Sequence, residues 1–326
     1  MSGKSDDRTS PASLHRRDAL KLLGVAGVSA ALGGSTLLSA RAQAQTPPPA
    51  PLNAAGFYKF KVGDYTVTVL SDGQAVGGNA LPNWGANPEL QDQFQATLRE
   101  NFLNPERFVN NFNPMLVDTG TERVLIDTGR GGDAGRLVAS LAAAGYQPEQ
   151  VTVVFLTHGH GDHIGGVTSA PGTLRYPNAR LVMGEAEFNF WAGQAQPNAA
   201  VQNNLIALRD RFTLVGEGAT IVPGVTTVPA YGHTPGQMAV LVSSGNDQVM
   251  HLADAGGHYL LSFQYPQQYL GFDADKPAAV ATRARLFDRA ASERLKVVGY
   301  HYPWPGVAYV RKVGNAYQYV PVFYEF

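Results

Sequence analysis

The chain has 326 residues, 44% of them hydrophobic, and a formal net charge of −1. That length supports one large domain or two small ones, and the balanced charge, with no long single-sign run, argues against a nucleic-acid binder. There is no cysteine, which excludes disulfides, cysteine nucleophiles and thiolate-ligated zinc.

The first fifty residues differ in kind from the rest. Arg16 and Arg17 precede a Gly/Ala/Leu/Val-rich stretch from Leu20 to about Ala40, and the small-x-small sequences Ala40–Ala42 and Ala42–Ala44 follow. A charged start, an apolar middle and a small-residue end make a secretory signal. The arginine pair, with Leu20 and Lys21 after it, resembles a bacterial twin-arginine signal; His15 replaces the usual Ser or Thr, and Ala19 the usual bulky apolar residue. That resemblance implies the twin-arginine export machinery as a partner and a periplasmic or secreted location. Residues 1–44 are read as the signal, 45–55 as a Pro-rich linker and 56–326 as the functional domain. The apolar run is near spanning length, but its glycines and serines make a poor anchor, so no stable membrane insertion is expected after processing.

In the mature domain, alternation around Gly63-Asp64 predicts a hairpin, and the stretch from Asn113 to Gly129 predicts a second, turning at Gly120-Thr121 and ending at Asp127. Leu137, Val138 and Leu141 share a helical face stopped by Gly145. Val151–His158 is a short β-branched run, read as a buried strand. A strand and a helix start follow from Ala179 to Trp191, then helix through Asn203–Phe212. Further strands are expected to end at His233 and Asp254, helix from about Lys276 to Leu295, and a strand ending at His301 before two more β-rich segments. Arg283, Arg285, Arg289, Arg294 and Lys296 interleave with Asp288 and Glu293 and read as a solvated helix face. Strands alternating with helices give the α/β class, with helices covering the sheets.

Three of the eight histidines and an aspartate fall within six positions, in His158-Gly159-His160-Gly161-Asp162-His163. They follow an apolar strand, and the glycines let the backbone fold tightly enough to bring several side chains to one point. Imidazole and carboxylate are ligands that zinc, manganese and iron accept. A polar surface loop would account for one such histidine more readily than for three. Four ligands from one loop are too many for a single open zinc with three protein ligands, which suggests two metals. His233, Asp254 and His301 each follow an apolar run and are the further candidates. His251 lies inside a strand and reads as structural; His258, just past Asp254, could face the site.

The His158–His163 motif, the Gly232–Gly236 sequence, the Asp254 strand and His301 together resemble the metallo-β-lactamase superfamily. Within it, Ala143–Val151, Tyr176–Val182, Phe190-Trp191 and Tyr319–Tyr324 are similar to methyl parathion hydrolase and its lactonase-like relatives. The resemblance implies an αββα sandwich of two similar halves, a homodimer, and two divalent metal ions, zinc foremost, then manganese, iron or cobalt. It implies that His158, His160 and His233 bind one ion, that Asp162, His163 and His301 bind the other, and that Asp254 bridges them. A hydroxide between the ions would be the nucleophile, with Asp162 or Asp254 handling a proton. Ala253, where Gly commonly precedes the bridging Asp, and Gln237, where His or Ser is frequent, depart from the pattern.

For the small-molecule substrate the sequence offers aromatics in segments bordering the ligands: Phe188, Phe190, Trp191, Phe272, Tyr302 and Trp304, with Trp191 and Trp304 foremost. An aromatic mouth suits organophosphate triesters, lactones or aryl esters. No basic residue is obviously placed to clamp an anionic substrate, which weakens a glyoxalase II-like thioesterase or a β-lactamase. A mononuclear iron dioxygenase on the same fold and a non-catalytic metal binder stay open beside the hydrolase.

Overall fold

Gly63 turns the first hairpin. β1 (Phe57–Val62) and β2 (Tyr65–Leu70) pair antiparallel with Val62 opposite Tyr65, and the two-residue turn takes the left-handed backbone that Gly63 supplies at φ 52°. The computed structural model describes residues 56–322, all within the unit Pro49–Phe326; the signal and linker expected over 1–55 lie outside the described residues.

β3 (Gln74–Val76) and β4 (Val109–Asn111) form a ribbon, with α1 (Gln91–Glu100) in the chain between them. β5 (Met115–Asp118) and β6 (Arg123–Ile126) are the second expected hairpin, followed by α2 (Leu137–Ala143) and β7 (Val153–Leu156). The histidine-rich turn carries α3 (Gly161–Ile164), and β8 (Thr168–Ala170) with β9 (Thr173–Leu174) makes a second ribbon. β10 (Arg180–Gly184), α4 (Glu185–Ala192), α5 (Ala199–Asn204) and β11 (Phe212–Val215) close the first half. The second half runs β12 (Thr220–Val222), β13 (Val225–Pro229), β14 (Met238–Ser244), β15 (Asp247–His251), α6 (Leu261–Gln264), α7 (Lys276–Ser292), β16 (Lys296–Val298), β17 (Val307–Val313) and β18 (Ala316–Pro321).

Two seven-stranded sheets result, ordered β1-β2-β5-β6-β7-β10-β11 and β12 through β18. β6, β7, β10 and β11 run parallel, as do β15 and β16; the remaining neighbours in these sheets are antiparallel. Successive side chains of a strand face opposite ways, and both faces here are dry. Leu125, Val154, Leu156, Leu181 and Met183 pack outward with α2, α4 and α5. Val124, Ile126, Val153, Phe155 and Val182 pack inward against Val225, Met238, Val240 and Val249 of the second sheet. Leu241, Met250 and Val297 face outward onto Leu286, Phe287 and Ala290 of α7. This is the αββα order of layers expected from the sequence.

Three strand ends fall short of their expected residues. β13 stops at Pro229, β15 at His251 and β16 at Val298, so His233, Asp254 and His301 stand in the loops beyond. The solvated face assigned to the basic residues of α7 also needs correction. Arg283 is buried and donates to the carbonyls of Ala255 (3.0 Å) and Gln268. No described helix is long and apolar enough to cross a membrane.

Candidate metal centre

Four excursions from strand ends meet at one edge of the sandwich. β7 ends at Leu156 and delivers His158, then His160 at the start of α3, then Asp162 and His163 in its single turn. His233 comes from the β13–β14 loop, Asp254 from a 3₁₀ turn (Ala253–Gly256) after β15, and His301 from the β16–β17 loop. The sheets are pinned together here: Met238 N–H donates to the Thr157 carbonyl at 3.1 Å, and Asn113 Nδ2 to the carbonyls of Gly299 and Tyr302.

The side chains form two adjacent groups. His158, His160, His233 and Asp254 offer ligand atoms within 4.8 Å of one another, as do Asp162, His163 and His301. In the first group, His158 Nε2 and His233 Nε2 lie 2.9 and 3.0 Å from His160 Nδ1. Asp254 faces both groups: Oδ2 is 3.4 Å from His233 Nε2 and 3.2 Å from His301 Nε2, and Oδ1 is 3.1 Å from His163 Nε2. Asp162 Oδ2 lies 3.5 Å from His301 Nε2 and 3.8 Å from His163 Nε2.

The donor set fits divalent cations. His163 Nε2 and Asp254 Oδ1 are buried and have only each other at 3.1 Å, out of line for a hydrogen bond, and buried polar atoms left so are costly unless something else satisfies them. Outer nitrogens are held from behind. His163 Nδ1 pairs with Asp127 Oδ2 at 2.8 Å, His233 Nδ1 with Asp273 Oδ1 at 2.9 Å, and His301 Nδ1 with the Asn111 carbonyl at 2.8 Å. Such partners place the proton on Nδ1 and leave the Nε2 lone pair aimed inward. Asp127 also accepts from the Thr157 N–H and hydroxyl, which fixes the end of β7.

A family model described as the metallo-beta-lactamase superfamily matches residues 110–301. The chain belongs to the metallo-β-lactamase superfamily. The N-acyl homoserine lactonase of Bacillus cereus is 24% identical over 195 residues, 56% of this chain and 73% of that one. Among solved structures, AidC, a dizinc quorum-quenching lactonase in complex with a product N-hexanoyl-L-homoserine, matches with a TM-score of 0.77 at 28% identity over 83% of this chain and 99% of that chain. AbOPH, a hydrolase of the β-lactamase superfamily, matches with a TM-score of 0.74 at 26% identity over 84% and 100% of the two chains. This chain is accordingly a metal-dependent hydrolase of that superfamily.

Electrostatics in this superfamily site follow from burial and neighbours. Burial, then His163, hold His158 well below the usual histidine range, and burial with His233 lowers His160 to about 4. Burial also opposes the charged forms of His163 and Asp254, but it is outweighed by Asp254 and then Asp127 for His163, and by His301 and then His163 for Asp254. His163 is raised and Asp254 lowered.

The expected pocket residues separate. Phe188 and Tyr302 are core. Trp191 sits 5.2 Å from the His160 ring but commits its indole N–H to Glu187, and Phe190 meets Trp191 edge-on at 5.3 Å. Phe272, 39% exposed, meets His233 edge-on at 5.9 Å. Trp304 lines a cavity of about 270 Å³ with Ala80, Leu98, Leu103, Phe108 and His258. His258 stands outside both ligand groups; its Nδ1 accepts from the N–H of Leu260 and Leu261. Gln237 is buried and donates to the Ala230 carbonyl within its own loop.

Sequence reasoning missed Asp127, Asp273, Glu187, Tyr300 and Trp84. Tyr300 stacks on His163 at 3.8 Å, and Trp84 meets His301 at 5.1 Å and Phe272 at 5.2 Å, both edge-on. Asp127 was legible in part, as an acid ending a buried strand; the others carry no spacing signal.

Proposed function

We propose that this chain is a dinuclear-metal hydrolase that opens lactones, with N-acyl homoserine lactones the first candidates. The observation that carries the reading is the meeting of two complete ligand groups at Asp254, whose two carboxylate oxygens face different histidines. His158, His160 and His233 would hold one ion, Asp162, His163 and His301 the other, with Asp254 between them. Two divalent ions, zinc foremost, would supply Lewis acidity and a lowered pKa for water. The second group gives a use to Asp162 and His163 that a mononuclear iron dioxygenase would leave idle. Asp162, 29% exposed, would pass a proton between site and solvent. Trp84 packs edge-on against His301 and Phe272 edge-on against His233, and the two would limit the access of water to those histidines.

The lactone preference is supported by the AidC and Bacillus cereus likenesses and by the cavity that Trp304 lines, where Leu98, Leu103 and Phe108 suit an acyl chain and Gln74, Asn104, Arg107 and Asn111 offer polar groups. Phosphotriesters and aryl esters come second, on the sequence likeness to methyl parathion hydrolase over Tyr176–Val182 and Phe190-Trp191. The arginine pair and small-residue cleavage sites support an exported, periplasmic enzyme, and the family resemblance a homodimer.

The test is hydrolysis by the metal-loaded protein of short and long acyl homoserine lactones, a phosphotriester, an aryl ester, a glutathione thioester and a β-lactam. His160→Ala is assayed beside it. Lactone turnover falling at least about 100-fold in the variant is expected, since losing a ligand exceeds the loss of a supporting partner. Turnover confined to another substrate class would overturn the lactone reading, and unchanged turnover in His160→Ala would overturn the ligand assignment.

A further inference from the structure

We propose that Glu187 is a positioning residue that locks together the two loops carrying His158, His160 and His233, and so sets the affinity of one metal position and not of the other. The inference rests on the two-ion reading above.

Glu187 lies in the first turn of α4 and its side chain is fully buried. Its Oε1 accepts from the Gly159 N–H at 3.1 Å and the Trp191 indole N–H at 2.6 Å. Its Oε2 accepts from the Thr234 hydroxyl at 2.8 Å and the Gly236 N–H at 2.9 Å. Gly159 stands between His158 and His160, and Thr234 directly follows His233. One carboxylate therefore joins the loop leaving β7 of the first sheet to the β13–β14 loop of the second. Four donors satisfy a group whose burial alone would be severely unfavourable.

Packing gives a second, independent sign. A Cβ on Gly159 would come within 2.3 Å of Trp191, and one on Gly236 within 2.2 Å of the Glu187 backbone nitrogen. Both loops lie directly against α4, and glycine at each position allows that approach. The other ligand group is held from elsewhere: His163 by Asp127, His301 by the Asn111 carbonyl, and the backbone of Asp162 by the Tyr300 hydroxyl at 2.5 Å. Loosening Glu187 acts on His158, His160 and His233 while those supports stay in place.

Glu187→Gln tests this with little change of volume. Glutamine offers one accepting oxygen and one donating amide. With the oxygen toward Gly159 and Trp191, the amide opposes the Gly236 N–H, donor against donor; reversed, two donors lose their acceptor. The readout is zinc bound per chain, measured against a graded chelator. In Glu187→Gln one equivalent is expected to be lost at roughly 10–100-fold lower chelator strength, the usual penalty for losing a supporting partner, while the second holds wild-type affinity. Thr234→Val is expected to shift the same equivalent by less, and Thr234→Ser to restore it. These two keep the test alive if the glutamine variant does not fold.

Val240→Ala, a truncation between the sheets, is the control for general destabilisation. Two equivalents at wild-type affinity in Glu187→Gln, equal weakening of both, or the same one-equivalent loss in Val240→Ala would each overturn the proposal. A wild type holding a single equivalent would instead overturn the two-ion reading; the lock would then stand only if Glu187→Gln weakened that one ion.

Discussion

Ala253 holds the residue before Asp254 at φ 48°, a left-handed conformation that side chains with a Cβ adopt at a cost of about 1–2 kcal/mol. Glycine commonly stands there in the superfamily this chain resembles, and the backbone shows why: the 3₁₀ turn that aims Asp254 needs a positive φ. Ala253→Gly removes that strain and returns part of the gain as extra freedom of the unfolded chain, roughly 0.4–1 kcal/mol. The net expectation is about 0.5–1 kcal/mol of added stability in urea unfolding, with metal content unchanged; a less stable variant would show that Ala253 is held without strain. At this scale the grouping of His158, His160, Asp162 and His163 was legible because their spacing repeats within one turn. Glu187, Asp273 and Trp84 were not, because each is a lone residue whose meaning comes from a loop that reaches it through the fold. Ala253 shows a middle case, visible as a departure and explained only by its φ.

α7 marks the limit of reading an element by charge. Its basic residues interleave with acids, and Arg289 does pair with Glu293 four residues on, as a solvated face should. Arg283 turns inward instead. Its guanidinium joins the turn holding Asp254, through the Ala255 carbonyl, to the segment holding Asp273, whose Oδ2 lies 3.8 Å from its Nη2. Asp273 in turn orients His233. Arg283→Met keeps the bulk but leaves a buried carboxylate without its cation and two carbonyls without their donor. Breaking a buried pair from one side costs on the order of 3–5 kcal/mol, so a clear drop in the urea midpoint is expected; a loss under about 1 kcal/mol, the range of exposed pairs, would show that Asp273 is satisfied without it. Strands were easier to read, because β5, β6, β7 and β10 are dry on both faces and so read as short apolar runs between turns. α1 escaped notice since its buried residues are only Phe94, Thr97 and Leu98 among polar neighbours. The overrun of β13, β15 and β16 has one cause: apolar residues continue past the last ladder bond, as Ala230, Leu252 and Tyr300 do, because the loops themselves are buried around the centre.

Across the whole molecule, that burial carries a price in acid. His251 and His258 stand outside both ligand groups, and burial lowers them to about 4 and about 3. Both stay neutral in the fold while the unfolded chain takes up protons below about pH 6.5. Their contribution is thus fully present above about pH 6.5 and drains away as pH falls toward 4 and 3, because the unfolded state binds more protons there. His163 and His301, both raised, act with the opposite sign in the metal-free protein, so the pH profile of the wild type alone mixes two effects. A difference separates them. His258→Leu loses the acceptor for the Leu260 and Leu261 N–H groups at every pH, a constant offset, but it also removes the proton-linked cost. The stability gap between wild type and variant, followed by urea unfolding of both in chelator, should therefore move toward the variant by on the order of 3 kcal/mol between about pH 7 and pH 4. A gap that stays constant over that interval would mean that His258 takes up its proton within the fold, and that the cavity it lines is wetter than its buried, aromatic surroundings imply.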